Sequence, residues 1–183
     1  MNKANNIFAI EGEWGSRLTD NRTIKSTLTL LNEVRGIDYI FRKVNTEKSL
    51  ISYLSTSSGK SYKKYGVIVI ASHGSRHDIE LSQDETIEIE KLADKCADFF
   101  EGKTVHFSSC AVARDSNKLK YFKKITKAKA VSGYSKNVGF LESSLLDMAY
   151  LDKLHSSNSI KVTENQLNRN YPELINRLGL KIL

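Results

Sequence analysis

Short apolar runs alternate with longer amphipathic segments along almost the whole chain. The runs are rich in β-branched residues and predict strands at residues 7–11, 38–44, 66–72, 104–109 and 129–134. Helical spacing of apolar residues predicts helices at 21–34, 46–54, 90–100, 115–126, 140–154 and 164–178. Strands separated by helices pair in parallel through right-handed crossovers. The pattern therefore predicts a three-layer α/β/α sandwich with a mostly parallel central sheet of five or six strands.

The same pattern predicts which side chains face the core and where some elements end. We expect Leu28, Leu31 and Val34 to form the apolar stripe of the first helix, with Asp20 or Asn21 as its N-cap and Gly36 at its end. On the helix at 140–154 we expect a buried side made of Leu141, Leu145, Met148 and either Tyr150 or Leu151. Apolar residues alternate across segment 77–89 on both sides of a polar turn, which predicts a β-hairpin.

Size and charge restrict the class of protein. With 183 residues, 40% of them hydrophobic, we expect a single domain over 1–183, with its core at about 5–155 and a C-terminal helical extension at 156–183. The net charge of +7 is spread over several segments without a nucleic-acid-binding motif, which favours a solvated lysine surface over a nucleic-acid partner. No apolar run approaches the roughly 20 residues of a membrane span. Two cysteines without a signal peptide indicate the reducing cytoplasm.

Reactive side chains follow two of the predicted strands. His73 and Gly74 come directly after the strand at 66–72, and Cys110 follows the strand at 104–109. Parallel strands end at the same edge of a sheet, where sites usually form. A thiol attacks as its thiolate, and a neighbouring imidazole can take its proton. The sequence therefore predicts a Cys110–His73 dyad, with the backbone N–H groups of Gly74 and Cys110 as an oxyanion hole and with no metal or cofactor.

The segments Ile68-Val69-Ile70-Ala71-Ser72-His73-Gly74 and Val105-His106-Phe107-Ser108-Ser109-Cys110 carry a resemblance to a known family. They resemble the caspase-like (clan CD) cysteine peptidases, including the bacterial CHAT and metacaspase branches, over about residues 5–155. The resemblance implies His73 as general base and Cys110 as nucleophile of an endopeptidase that forms an acyl-enzyme. It also implies a protein or peptide substrate, control by a regulatory partner or signal, and a role in bacterial signalling or defence. The Gln-Ala-Cys of caspases is Ser-Ser-Cys here, so the substrate residue is not identified.

Residues at the predicted edge are candidates for substrate binding. Trp14 follows the first strand and either lines the groove or covers the core. Tyr134 ends the fifth predicted strand, and the resemblance makes Ser135 and the residues after it a peptide-binding loop. Asp147 or Glu142 would select a basic substrate side chain, but about 140° of helical rotation separates them, so at most one faces the site.

The other cysteine and histidines have structural interpretations. We expect Cys96 in the core, His106 packed in its strand, His77 exposed at the start of the hairpin and His155 at a helix end. Two other functions stay open. The chain is either a caspase-like binding or sensing module with a silent dyad or, last in order, a flavodoxin-like nucleotide or phosphate binder, for which it has no G-x-G-x-x-G or Walker motif.

Overall fold

The central sheet organises the structure, a computed structural model that describes residues 5–17, 19–76, 78–157 and 159–183. The strands are β1 (Ile7–Glu11), β2 (Tyr39–Lys43), β3 (Val67–Ala71), β4 (His73–Gly74), β5 (Asp78–Glu80), β6 (Thr86–Glu88), β7 (Thr104–Ser108), β8 (Ala130–Tyr134) and β9 (Leu180–Ile182). The helices are α1 (Lys25–Arg35), α2 (Glu47–Ser58), α3 (Ile89–Lys95), α4 (Ser116–Thr126), α5 (Phe140–Ser156), α6 (Ile160–Asn170) and α7 (Pro172–Leu178). Short 3₁₀ turns lie at Lys60–Tyr62 and Ala97–Phe99.

Six strands form the main sheet in the order β2-β1-β3-β7-β8-β9. The first five are parallel, and β9 joins the edge of β8 antiparallel. One apolar core lies between the sheet and α2, α3 and α4, and a second lies between the sheet and α1, α5 and α6. This arrangement confirms the predicted three-layer sandwich and its mostly parallel sheet. Within the described residues, no helix has the length and apolar character that crossing a membrane requires.

The two central strands, β3 and β7, end side by side. Every residue of both strands is buried, as expected for parallel strands covered on both faces. Their register pairs Ala71 with Ser108, and the hydroxyl oxygens of the next residues, Ser72 and Ser109, lie 3.5 Å apart. The pairing therefore brings the segments that carry His73 and Cys110 together where the carboxyl ends of the parallel strands meet.

A second, smaller sheet begins at the candidate histidine. The hairpin predicted at 77–89 corresponds to β5 and β6, and His77 itself lies outside the described residues. His73 and Gly74 form β4, a short strand that pairs antiparallel with β5 and that the sequence pattern did not predict. The chain therefore leaves the main sheet after Ala71 and enters the small sheet at His73.

Several helix predictions were wrong in detail. Val34 is 67% exposed, and Leu141 and Leu145 are 73% and 49% exposed, so neither predicted stripe is fully buried. The N-cap residue of α1 is Ile24, and not Asp20 or Asn21, and no side-chain hydrogen bond caps the helix there. The single helix predicted at 164–178 is two helices, because Pro172 starts α7 at its first turn. Gly36 ends α1 at a φ of 67°, as predicted.

Candidate active site

Gly74 packs directly against the segment that contains Cys110. A Cβ atom placed on Gly74 would lie 2.7 Å from the carbonyl oxygen of Cys110 and 2.8 Å from Cβ of Ser109. Such distances are too short for a side chain, so only glycine fits at this position. The His73–Gly74 strand thus lies in van der Waals contact with the backbone that carries the thiol.

The His73 ring is oriented by a backbone carbonyl. Its Nε2 atom lies 2.5 Å from the carbonyl oxygen of Trp14, in the loop after β1. A carbonyl oxygen can only accept a hydrogen bond, so Nε2 carries the proton. In the neutral ring, Nδ1 then holds the free lone pair. The indole of Trp14 also contacts the imidazole edge-to-face, with ring centroids 5.5 Å apart.

An ion pair fixes the same carbonyl from the solvent side. Arg22 donates from Nη2 to the Trp14 oxygen at 2.6 Å and is itself paired with Asp20. Hydrogen bonds from Arg22 lower the pKa of Asp20 to about 2, with a smaller contribution from the charge of His73. The carbonyl beside His73 therefore accepts from two nitrogen donors.

Glu11, the last residue of β1, is a fully buried carboxylate behind this loop. Its Oε1 accepts from the Trp14 indole N–H at 2.9 Å and from the Ile24 backbone N–H at 2.6 Å. Its Oε2 accepts from the Thr23 hydroxyl at 2.8 Å and lies 3.9 Å from the Lys43 ammonium group. The sequence pattern predicts no role for Glu11, although an acidic residue at the end of an otherwise apolar strand is a signal that the sequence offers.

The Cys110 thiol is half-buried and hydrogen-bonded to the backbone of Val138. Its Sγ lies 3.5 Å from the Val138 carbonyl oxygen, to which it donates, and accepts from the Val138 N–H at 3.3 Å. Among the described side chains, Sγ has no hydrogen bond to His73. Cys96 is fully buried, as expected, and burial raises the pKa of its thiol to about 12.

The loop over the thiol, residues 135–139, is held by the C-terminal segment. The Ser135 hydroxyl donates to the Gly179 carbonyl at 2.9 Å, and the Lys136 ammonium group donates to the Asn176 carbonyl at 2.7 Å. The Lys136 carbonyl in turn accepts from the Ala111 N–H at 3.0 Å. Ser135 is thus half-buried in a loop beside the thiol, and this loop is attached to α7 and to Gly179, which joins α7 to β9.

Contrary to expectation, the side chains of Tyr134 and Asp147 lie in the protein interior and not at its surface. Both are buried, and the Tyr134 hydroxyl donates to the Asp147 carboxylate. Asp147 also accepts from the Ser108 hydroxyl at 2.5 Å and from His106 Nε2 at 2.7 Å. Burial and the charge of Asp147 raise the pKa of Tyr134. Neither side chain is accessible to a substrate, and His106 is buried in its strand as expected.

An open cavity of about 270 Å³ lies next to Trp14. Its walls include the acidic Glu13 and Asp20 and the basic Arg22 and Lys43. Because both signs of charge are present, the lining does not favour an anionic over a cationic ligand. No group of three or more His, Cys, Asp or Glu side chains in the described part of the chain is arranged to hold a metal ion.

The fold is caspase-like. The structure of caspase-1 from Spodoptera frugiperda is similar, with a TM-score of 0.59 and 11% sequence identity, and the match covers 100% of this chain and 86% of that one. At this identity the likeness shows the fold alone. Residues 4–183 match a family of unknown function, DUF6642, and the chain belongs to that family. No curated protein matches the sequence.

Proposed function

We propose that this chain is a caspase-like cysteine endopeptidase, with Cys110 as nucleophile and His73 as general base. The observation that carries the proposal is the Nε2 contact of His73 with the Trp14 carbonyl. It commits the Nε2 proton to the carbonyl and leaves Nδ1 free to take the proton of a thiol. The ends of β3 and β7 bring the two residues to one edge of the sheet, which supports the same assignment.

The proposed reaction has two steps. His73 takes the thiol proton, and the Cys110 sulfur attacks the carbonyl carbon of a peptide bond. The backbone N–H groups of Gly74 and Cys110 would stabilise the oxyanion. His73 then gives its proton to the leaving amine as the C–N bond breaks and a thioester remains. Water loses a proton to His73, attacks the thioester and breaks the C–S bond, and His73 then gives this proton to the leaving sulfur, which restores the thiol and releases the carboxylic acid product.

The Val138 contact supports regulation of this site. A thiol that donates to the Val138 carbonyl must leave that partner before His73 can take its proton. We propose that a substrate, or a regulatory partner that moves loop 135–139, releases Cys110. Trp14 and Ser135 would border the peptide groove. We extend the proposal to the bacterial CHAT and metacaspase branches and their signalling or defence roles, which the sequence motifs resemble.

A second candidate function is a binding or sensing module with a silent dyad. The same Val138 contact favours it, because the thiol is hydrogen-bonded to backbone and not to imidazole. In this case His73 and Cys110 would be packing residues at an edge used for partner contact.

Thiol reactivity distinguishes the two functions. We expect Cys110 to react with iodoacetamide at pH 7 faster in the wild type than in His73→Ala, because the imidazole takes the proton of the thiol in those molecules whose thiol has left the Val138 carbonyl. Cys110→Ala should remove both the labelling and any cleavage of a peptide library. Equal labelling rates in the wild type and His73→Ala would favour the binding module, and equal cleavage by wild type and Cys110→Ala would exclude the peptidase.

A further inference from the structure

Trp14 is hydrogen-bonded at both its side chain and its main chain. Its indole N–H donates to Glu11 Oε1 at 2.9 Å, and its carbonyl oxygen accepts from His73 Nε2 at 2.5 Å. We propose that Glu11 is a positioning residue that acts on His73 through Trp14. This inference rests on the proposed function, in which His73 is the general base.

The surroundings of Glu11 explain why a carboxylate can be buried there. A buried charge is costly unless hydrogen-bond donors surround it. Here the donors are the Trp14 indole, the Ile24 backbone N–H and the Thr23 hydroxyl, all from the loop between β1 and α1 or its junction with the helix. Glu11 therefore ties this loop back to the end of β1. The start of α1 has no side-chain cap, and the Ile24 N–H at this position finds its acceptor in Glu11.

The position of the loop determines which nitrogen of His73 carries the proton. β1 is the neighbour of β3, so the loop after β1 runs beside the residue that follows β3. A neutral imidazole without a fixed acceptor exchanges its proton between Nε2 and Nδ1. Only the Nε2–H form presents the Nδ1 lone pair to a thiol. An anchored Trp14 carbonyl therefore selects the form of His73 that can act as a base.

The test separates the hydrogen-bond acceptor of Glu11 from its charge and bulk. Trp14→Phe keeps an aromatic ring and loses the N–H donor, and Glu11→Met loses the acceptor. Glu11→Gln keeps an oxygen that can accept from the indole, so it serves as the conservative rescue. We measure the tautomer of His73 by ¹⁵N NMR and the pH profile of Cys110 alkylation in each full-length variant.

We expect Trp14→Phe and Glu11→Met to populate the Nδ1–H form and to slow alkylation at pH 7 by about threefold to tenfold, the range expected for one hydrogen bond. Glu11→Gln should retain the wild-type tautomer and profile. Thr23→Val, which removes a donor to the other carboxylate oxygen, should lower stability and leave the tautomer unchanged. If Glu11→Met does not fold, Trp14→Phe decides the outcome.

A wild-type tautomer and alkylation profile in Trp14→Phe would overturn the role of Glu11. A mixed tautomer in Glu11→Gln, equal to that in Glu11→Met, would also contradict it, because the acceptor would then be irrelevant. The NMR readout does not depend on thiol reactivity. An inert Cys110 beside a correctly protonated His73 would therefore overturn the peptidase and leave the Glu11 contact intact.

Discussion

Asp147 accepts three hydrogen bonds inside the protein, from His106, Ser108 and Tyr134. These donors come from β7 and β8, and the acceptor comes from α5, so one carboxylate connects a helix to two neighbouring strands of the main sheet. All four side chains are buried. Removing the acceptor leaves the Ser108 hydroxyl and His106 Nε2 without this partner in a buried environment, whereas the Tyr134 hydroxyl keeps the Ser143 carbonyl at 3.2 Å. Loss of a partner by buried polar groups is among the more destabilising changes a protein can undergo.

We therefore expect Asp147→Asn to lower the free energy of unfolding by about 2–4 kcal/mol, because the amide nitrogen cannot accept the hydrogen bonds made to the carboxylate oxygen that it replaces. Urea denaturation measures the loss. The matched control is Glu142→Gln on the same helix, whose side chain is 43% exposed and pairs with Arg177. This control should change stability by less than about 1 kcal/mol. Similar losses in the two variants would contradict the buried role of Asp147.

The two cysteines should differ sharply in reactivity. Cys96 is fully buried, and the pKa of its thiol is raised to about 12, so below about pH 9 it is neutral and inaccessible. Mass spectrometry after iodoacetamide treatment at pH 8 should find one modified thiol in the native protein and two in denaturant. The native Cys110→Ala variant should remain unmodified. Rapid modification of that variant would show that Cys96 is accessible.

At the scale of single elements, α5 shows where sequence patterns fail. Its leucines at 141 and 145 suggested a buried side, yet the buried face contains Leu146 and Asp147 beside the expected Tyr150. A hydrophobic pattern assigns an aspartate to the exposed side, so the predicted buried face of α5 differs from the observed one by a rotation about the helix axis. The strands β3 and β7 were predicted correctly because continuous β-branched runs have few alternatives. The Cys110 and His73 positions followed from those strands, whereas Glu11 and Val138 depend on loop paths that no periodicity encodes.

The loop over Cys110 should loosen when its attachment to the C-terminal segment is changed. Gly179 has a φ of 70°, and a Cβ there would collide with the Ser135 hydroxyl, which bonds the Gly179 carbonyl. We expect Gly179→Ala to lower stability by more than about 1 kcal/mol and to speed alkylation of Cys110, because Val138 moves with the loop. Thermal unfolding and labelling kinetics measure the two effects.

Gly36 offers a matched control for this change. It has a similar φ of 67°, but nothing lies within 4 Å of the position of its Cβ. Gly36→Ala should therefore show the backbone strain alone, about 1 kcal/mol, and leave the labelling rate of Cys110 unchanged. Equal labelling rates in all three proteins would mean that the loop does not control access to the thiol.

At the scale of the whole molecule, the C-terminal segment is integrated into the fold. The sequence pattern predicts a core at about 5–155 and a C-terminal helical extension at 156–183. In the structure β9 extends the main sheet, and Leu167 and Leu178 are buried in two separate apolar clusters. The pattern missed this because a three-residue strand is too short to show periodicity.

Truncation tests this integration. A chain that ends at Asn170 lacks α7 and β9, so it exposes the edge of β8 and loses the buried Leu178. We expect the midpoint of thermal unfolding to fall by at least about 10 °C, because the buried Leu178 and several half-buried apolar side chains are removed together. Differential scanning calorimetry measures the shift. An unchanged midpoint would mean that residues 171–183 are an appendage to an independently stable domain.

Trp14 is the one tryptophan of the chain, and it touches the imidazole of His73 edge-to-face. Indole emission is quenched by a protonated imidazole at contact distance. The intrinsic fluorescence of the native protein should therefore fall as His73 gains its proton, and His73→Ala should abolish that titration. The protonation state of the candidate base can thus be followed optically, without substrate or label, at any temperature where the protein is folded.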